Sequence, residues 1–530
     1  MSGQDPLALA EWQRIRRYAV PEWMITECTA ARERGDWRAA CEAGGIDVDI
    51  DDPAPFAGQL AGLAPDLLRW HLPRALGGYT TIAEDRQYAL IPHDGAVEPD
   101  STVLVVDSPV SLLGSQRLTL TAVSWFDLPD ETVPLPAYLW DARHAGELRT
   151  AVSGTDARLP GFAPDGTPLP GELLGTGDDP PARAERVRRE DDLAARFTAA
   201  GIEVAADFGV EMPRWGNGGD IRVVDPLRLA HDARTLAARF DIREMVLWID
   251  YYLHVLVQVD RETVRAEWRI HQPGDTRNSL HRLDSALARY PADLDLIRAG
   301  RLTAGQLHPL VRAALFPGVP AAAAPPEPVP GPIRVRCEGE WHEVEVRQGR
   351  LTLPAHSAEQ RRREQALRAF GGAVTGCFAT EQTWSGTNGR LPKRLRAHRE
   401  HLWQRIVHGG TRTLLELLDD GLDPHLRDSR GRTLMHRLRS FDHTVLLPRL
   451  LAAGVDVNAR DFEGSTPLYL AVVHQVPSGV ITGLVDAGAD VNVPNQDDLS
   501  VMDYLDEILV YRDELDADFE AAVAYIRKRG

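Results

Sequence analysis

Near its C-terminal end the chain repeats itself: GLDPHLRD at 421–428, GVDVNARD at 454–461 and GADVNVPN at 488–495 superimpose with steps of 33 and 34 residues. The stretches that follow align as well: RGRTLMHRL (430–438), EGSTPLYLA (463–471) and DDLSVMDYL (497–505). A period of this length belongs to stacked supersecondary units, because a single helix pair cannot bury its own apolar face and about three units are needed before a core exists. Local chemistry supports that. In VNARDFEGSTPLYLAVVH (457–474), Gly464 suits a tight turn, the Thr466 hydroxyl can cap a helix start, and Pro467 fits the first helical position, where no amide partner is lost. Leu468 and Ala471 would then face the neighbouring unit, and leucines at 446, 447, 450 and 451 mark a preceding helix that Gly454 ends.

This pattern resembles the ankyrin family, whose units carry Gly-x-Thr-Pro-Leu-His and a later Leu-Leu-x-x-Gly-Ala-Asp-Val-Asn. The resemblance covers 396–530: a degenerate first unit near 398–424, two well-formed units, and a last unit from Asn495 with Ser500, Val501 and Asp503 where the family has Thr, Pro and His. Leu515, Phe519, Ala522, Val523 and Ile526 share one face of an expected closing helix. The resemblance implies protein binding through turn tips. Its variable surface positions map onto Ser429, Arg430 and Arg432, then Phe462, Glu463 and Ser465, then Gln496, Asp497 and Leu499. Phe462, an aromatic at a tip, is the natural anchor for a protein partner. The alternative occupant of this face is the chain's own N-terminal part. RGDWRAACEAGGIDVDID (34–51) echoes a repeat end but lacks the paired leucines, and reads as an ordinary helix and turn.

The expected fold class is a set of multidomain α+β N-terminal regions followed by a C-terminal all-α ankyrin-repeat solenoid. Residues 1–150 begin with helices around Trp12, Ile15 and Tyr18 and around Trp23–Ala43, then turn to period-two runs, QYALIP, TVLVVD and RLTLTAVSW. Residues 151–183 are a Gly/Pro-rich loop or boundary. In 184–317, Val255, Val257 and Val259 face Val264, Ala266, Trp268 and Ile270 across a DRET connection, predicting a hairpin with one apolar face, flanked by helical patterns at 226–240 and 278–299. GVPAAAAPPEPVPGP (318–332) is a stiff linker, and 333–395 is a small basic α+β segment with strands joined at Glu338–Glu340 and Gln348–Gly349 and a charged helix from about Ser357 to Phe370.

The formal net charge of −19 disfavours nucleic acid and anionic membrane as partners, although 331–400 holds 13 basic against 8 acidic residues. No run of eighteen apolar residues predicts a membrane span, and the N-terminal residues do not resemble a secretion signal. Four cysteines without a CxxC pair point to a reducing cytoplasm rather than a disulfide framework. All basic residues but Lys393 and Lys528 are arginine, as in a GC-rich bacterial genome.

No phosphate-binding, dinucleotide, nucleophile-elbow or metalloprotease motif occurs, so the sequence assigns no catalytic residue, leaves open whether the chain is an enzyme, and predicts no cofactor. RWGNGGD (214–220) reads as a plain loop. His71 in RWHLPR is a weak anion or catalytic candidate, beside Trp70 and Leu72 simply anchoring a helix end. LPDE (128–131) with Asp127 and Asp141 gathers carboxylates that could hold a divalent cation, but they read more simply as solvated. Cys337 and His342 could meet across a hairpin, but two ligands do not make a zinc site, so no metal is expected. Three functions stand: an adaptor or regulator acting through the C-terminal repeats, an enzyme in 1–316 targeted by them, and a nucleic-acid-associated protein using 331–400, whose RLPKRLRAHR stretch more simply meets acidic neighbours.

Overall fold

The computed structural model describes residues 6–529 except 96, 99, 130, 206–207, 209–220, 241–242, 250–252, 262, 271–280, 324–330, 348, 371–373, 387–389 and 512–515. The chain forms two compact units, Met1–Leu112 with Gln116–Pro325, and Leu113–Ser115 with Pro326–Gly530. The first takes in both α+β regions expected at 1–150 and 184–317. Among the described residues no helix is long and apolar enough to cross a membrane.

The first unit holds two five-stranded sheets. One comprises β1 (Ile46–Asp49), β2 (Gln87–Leu90), β3 (Thr102–Asp107), β4 (Leu118–Ser124) and β5 (Val133–Leu135), in the order β1-β4-β3-β2-β5. The other comprises β6 (Ile202–Glu203), β7 (Glu244–Trp248), β8 (Leu253–Asp260), β9 (Thr263–Ile270) and β10 (His281–Asp284), and runs β6-β9-β8-β7-β10. The two orders match strand for strand. In each, three central strands are antiparallel and both edge strands pair in parallel, β1 on β4 and β5 on β2, β6 on β9 and β10 on β7. Each sheet also opens alike. Helix Trp37–Ala43 turns at Gly45 (φ 67°) into β1, and helix Leu193–Ala199 turns at Gly201 (φ 80°) into β6, with Ile46 and Ile202 buried at the strand starts. The unit is therefore one topology used twice.

The predicted hairpin is β8–β9, with Val255 opposite Trp268, Val257 opposite Ala266 and Val259 opposite Val264. Period two places Leu90, Leu104 and Val106 in one core and Ala89, Val103 and Val105 in a second, which also takes Met245, Leu247, Val255 and Val257 from the other sheet. The helix expected at 226–240 is Pro226–Phe240. That expected at 278–299 is not one helix. His281–Asp284 pairs in parallel with Met245–Trp248, and only Ala292–Arg298 is helical, because sheet pairing overrides a helical pattern of apolar residues. RWGNGGD lies outside the described residues.

The second unit begins with a three-stranded sheet, β11 (Ile333–Cys337), β12 (Glu340–Arg347) and β13 (Arg350–Thr352), followed by helices Ala358–Ala369 and Gly376–Ser385. Helix Lys393–Asp419 is broken at Gly410, whose φ of 64° and ψ of −160° separate two helical arms. Helical turns then alternate with tight loops: a 3₁₀ stretch at Leu434–Ser440, and α-helices His443–Ala452, Pro467–Val473, Ser478–Asp486, Val501–Tyr511 and Ala517–Arg529. Thr466 accepts a hydrogen bond from the Tyr469 amide with Pro467 at the first position, and Phe519, Ala522, Val523 and Ile526 are buried. Leu515 lies outside the described residues.

Candidate functional site

Three loops at the period of the sequence repeat share one geometry. The Asp428 Oδ1 accepts from the amides of Arg430 and Arg432 at 2.8 and 2.9 Å, the Asp461 Oδ1 from Glu463 and Ser465 at 2.9 Å each, and the Asn495 Oδ1 from Asp497 and Leu499 at 2.8 and 3.0 Å. Each loop closes with an amide-to-carbonyl bond four residues on, and Gly431 (φ 78°), Gly464 (φ 75°) and Asp498 (φ 59°) sit at the equivalent left-handed position. Adjacent loops are bonded to each other. The Phe462 amide donates to the Arg430 carbonyl and the Gln496 amide to the Glu463 carbonyl, at 2.9 and 3.0 Å.

Six of the nine positions expected to hold a partner are exposed on this edge, Ser429, Arg430, Phe462, Glu463, Gln496 and Asp497, and Leu499 is half-buried. Arg432 and Ser465 are buried. They are 5% and 3% exposed, because the loop carboxylate needs both amides inside it and the Arg432 Nε reaches the next loop's Asp461 Oδ2 at 3.1 Å. Phe462 is 43% exposed, yet its ring also rests on Gly431, where an added Cβ would come within 2.8 Å of it. The ring thus packs against its own chain as well as facing solvent.

The first unit contains a cavity of about 440 Å³ whose described lining includes seven arginines (16, 188, 189, 196, 228, 289, 298) and four carboxylates (Glu185, Asp225, Asp293, Asp295). Asp293 anchors one wall, receiving the Arg16 guanidinium and the Trp70 indole N–H at 3.1 Å, while Arg16 lies 4.4 Å over the Trp70 ring centroid. Arg188 pairs with Asp225 at 2.7 Å and covers the Tyr290 ring. Burial pushes the Asp295 carboxyl up to about 7. His71 also lines the cavity; burial, with Arg16 and Arg228 nearby, holds its imidazole well below the usual range and so neutral. Trp70 and Leu72 are buried, as expected of side chains that anchor a helix end. Sequence spacing gave no sign of the cavity, whose arginines come from segments far apart in the chain.

In the second unit, Cys337, His342, His356 and Cys377 bring one ligand atom each within 4.8 Å of one another. The two-ligand count taken from the sequence is short by two, because the loop after β13 and the start of helix Gly376–Ser385 fold back over the hairpin. Asp141, one of the carboxylates considered for a cation, is buried against Arg143, bonded at 2.6 and 3.0 Å. Of the basic segment, Arg399 is buried and donates to the Thr383 and Trp384 carbonyls, and Arg361 donates to that of Leu353.

Among known proteins, an ankyrin repeat-containing protein of Schizosaccharomyces pombe is 33% identical over 99 residues, 19% of this chain and 46% of that protein. NF-kappa-B inhibitor delta of Mus musculus is 38% identical over 60 residues, 11% of this chain and 18% of that protein. The chain spans less than half the length of these relatives. No family model matches it.

Proposed function

We propose that residues 396–530 form a short ankyrin array that binds a protein partner through its loop edge, making this chain an adaptor or regulator in the cytoplasm. The observation that carries this is the repetition of one loop geometry at Asp428, Asp461 and Asn495, with an exposed strip of Arg430, Phe462, Glu463, Gln496 and Asp497 along it. The ankyrin-repeat relatives support the same reading. A partner suited to the strip offers an apolar recess for Phe462 bordered by charges of both signs. Binding energy at such surfaces concentrates in a few aromatic and arginine anchors. The double substitution Phe462→Ala with Arg430→Glu is expected to weaken a partner captured from native lysate by tenfold or more, about 1.4 kcal/mol, while the unfolding temperature changes little. Unchanged capture would sink the proposal.

A second reading rests on the cavity of the first unit. Seven arginines against four carboxylates, one of them pushed up to about 7, suit a small anionic ligand such as a phosphate or carboxylate compound. A ligand at a hundred times its dissociation constant would stabilise the protein by about 2.7 kcal/mol. A thermal-shift screen of anionic metabolites should find one whose effect is lost in Arg298→Ala. A flat screen would count against an enzyme or sensor here.

A further inference from the structure

We propose that Cys337, His342, His356 and Cys377 bind one zinc ion as a closed structural centre at the base of the second unit. Four separate elements deliver the ligands. Cys337 ends β11, His342 lies in β12, His356 precedes helix Ala358–Ala369, and Cys377 is the second residue of helix Gly376–Ser385. In the β11–β12 ladder Val335 pairs with His342, so Cys337, two residues on from Val335, projects from the same face as His342.

The spacing suits a tetrahedron. Zn–N of about 2.0–2.1 Å and Zn–S of about 2.3 Å give ligand–ligand edges of roughly 3.3–3.8 Å. The Cys337 Sγ and His356 Nε2 are 3.7 Å apart, within that range; the His342 Nδ1 and His356 Nε2, at 2.9 Å, need only part by roughly 0.4 Å to admit the ion, and all four ligand atoms fall within 4.8 Å. Two thiolates would balance the charge of the ion, so the assembled centre is neutral and tolerates its burial: Cys337, His356 and Cys377 are 3%, 7% and 0% exposed. Four protein ligands leave no open position, which marks a structural and not a catalytic site.

The backbone is shaped for this convergence. Gly376 has φ 62°, and a Cβ there would lie 2.6 Å from the Cys337 Sγ and 2.9 Å from its Cα. Glycine alone lets the helix start bring Cys377 against Cys337. A disulfide between the two cysteines would explain that approach, but not why two imidazole nitrogens from other elements turn into the same point. Three short strands are also a weak core alone, and an ion tying two of them to the helices adds folding energy outright.

The test uses the full chain purified under reducing conditions without added metal chelators. Elemental analysis should find about one zinc per chain, and cobalt exchanged for it should show the intense visible bands of tetrahedral coordination with a thiolate-to-cobalt charge-transfer band. Cys377→Ser should abolish both. Because misfolding of that buried variant would mimic loss of zinc, His342→Ala, at the half-buried ligand, is the second arm: zinc retention against a competing chelator should drop roughly 100-fold, and His342→Cys should restore it with a red-shifted cobalt spectrum. A native protein with no zinc and no tetrahedral cobalt signal, or with Cys337 and Cys377 recovered as a disulfide under reducing purification, overturns the proposal.

Discussion

Replacing Asp461 with Ala should destabilise the second unit by about 3–5 kcal/mol, the usual cost of stranding one member of a buried ion pair. One carboxylate does three things. Its Oδ1 satisfies the amides of Glu463 and Ser465, and its Oδ2 meets the Nε of Arg432, itself 5% exposed. Alanine would leave a buried guanidinium with only the exposed Glu463 carboxylate, 4.0 Å away, as counter-charge, and two loop amides without an acceptor. Asp461→Asn separates these effects, since Asn495 already serves the equivalent loop with an amide oxygen. Asparagine should therefore keep the loop and lose mainly the charge term, a smaller loss that Arg432→Met in the same chain should largely remove. Hydrogen exchange of the Leu468–Val473 amides in the intact protein reads this locally. Equal protection in wild type and Asp461→Ala would show that the loops are not the linkage between successive helix pairs.

Local chemistry was legible in the sequence wherever neighbours in the chain settle the conformation. Gly464, Thr466 and Pro467 act within one turn, and the β8–β9 hairpin follows from alternation on either side of a short connection. Burial of Arg432 and Ser465 was not legible, because variable polar residues after a turn look like surface until the loop carboxylate is seen to draw their amides inward. The metal-ligand quartet has intervals of 5, 14 and 21 residues, none of them a recognised ligand spacing, and only the fold of the loop over the hairpin unites it. The cavity arginines run from position 16 to 298 and share no local pattern. The doubled topology left a faint trace, AGGIDVDID at 43–51 against AAGIEVAAD at 199–207, too short to separate from chance without the matching strand orders.

Acid should weaken the second unit well above the range where carboxylates protonate, and His436 supplies the reason. Its Nδ1 accepts from the Thr433 amide at 3.0 Å and its Nε2 faces the Ser465 carbonyl at 3.1 Å, which fixes the neutral tautomer with the proton on Nε2. A second proton must go on Nδ1, against an N–H already pointing at it. Burial holds the imidazole down at about 4, outweighing the Ser465 carbonyl and Asp461, which pull it up. An unfolded chain takes up that proton near 6.5, so between about 6.5 and 4 it binds more protons than the folded one and stability falls as pH falls. The loss attributable to His436 is about 2 kcal/mol at pH 5 and about 3 kcal/mol at pH 4. His474, also held near 4 by burial and by Arg439, Arg432 and Arg437, adds to the same slope. Glutamine offers one acceptor and one donor at similar reach without titrating, so His436→Gln should cost little at pH 7 yet flatten the acid limb of urea midpoints by that amount. Protonation of the proposed zinc ligands would act equally on both proteins and cancel in the difference. If wild type and His436→Gln lose stability in parallel from pH 7 to 4, the buried imidazole is not what couples the array to acid.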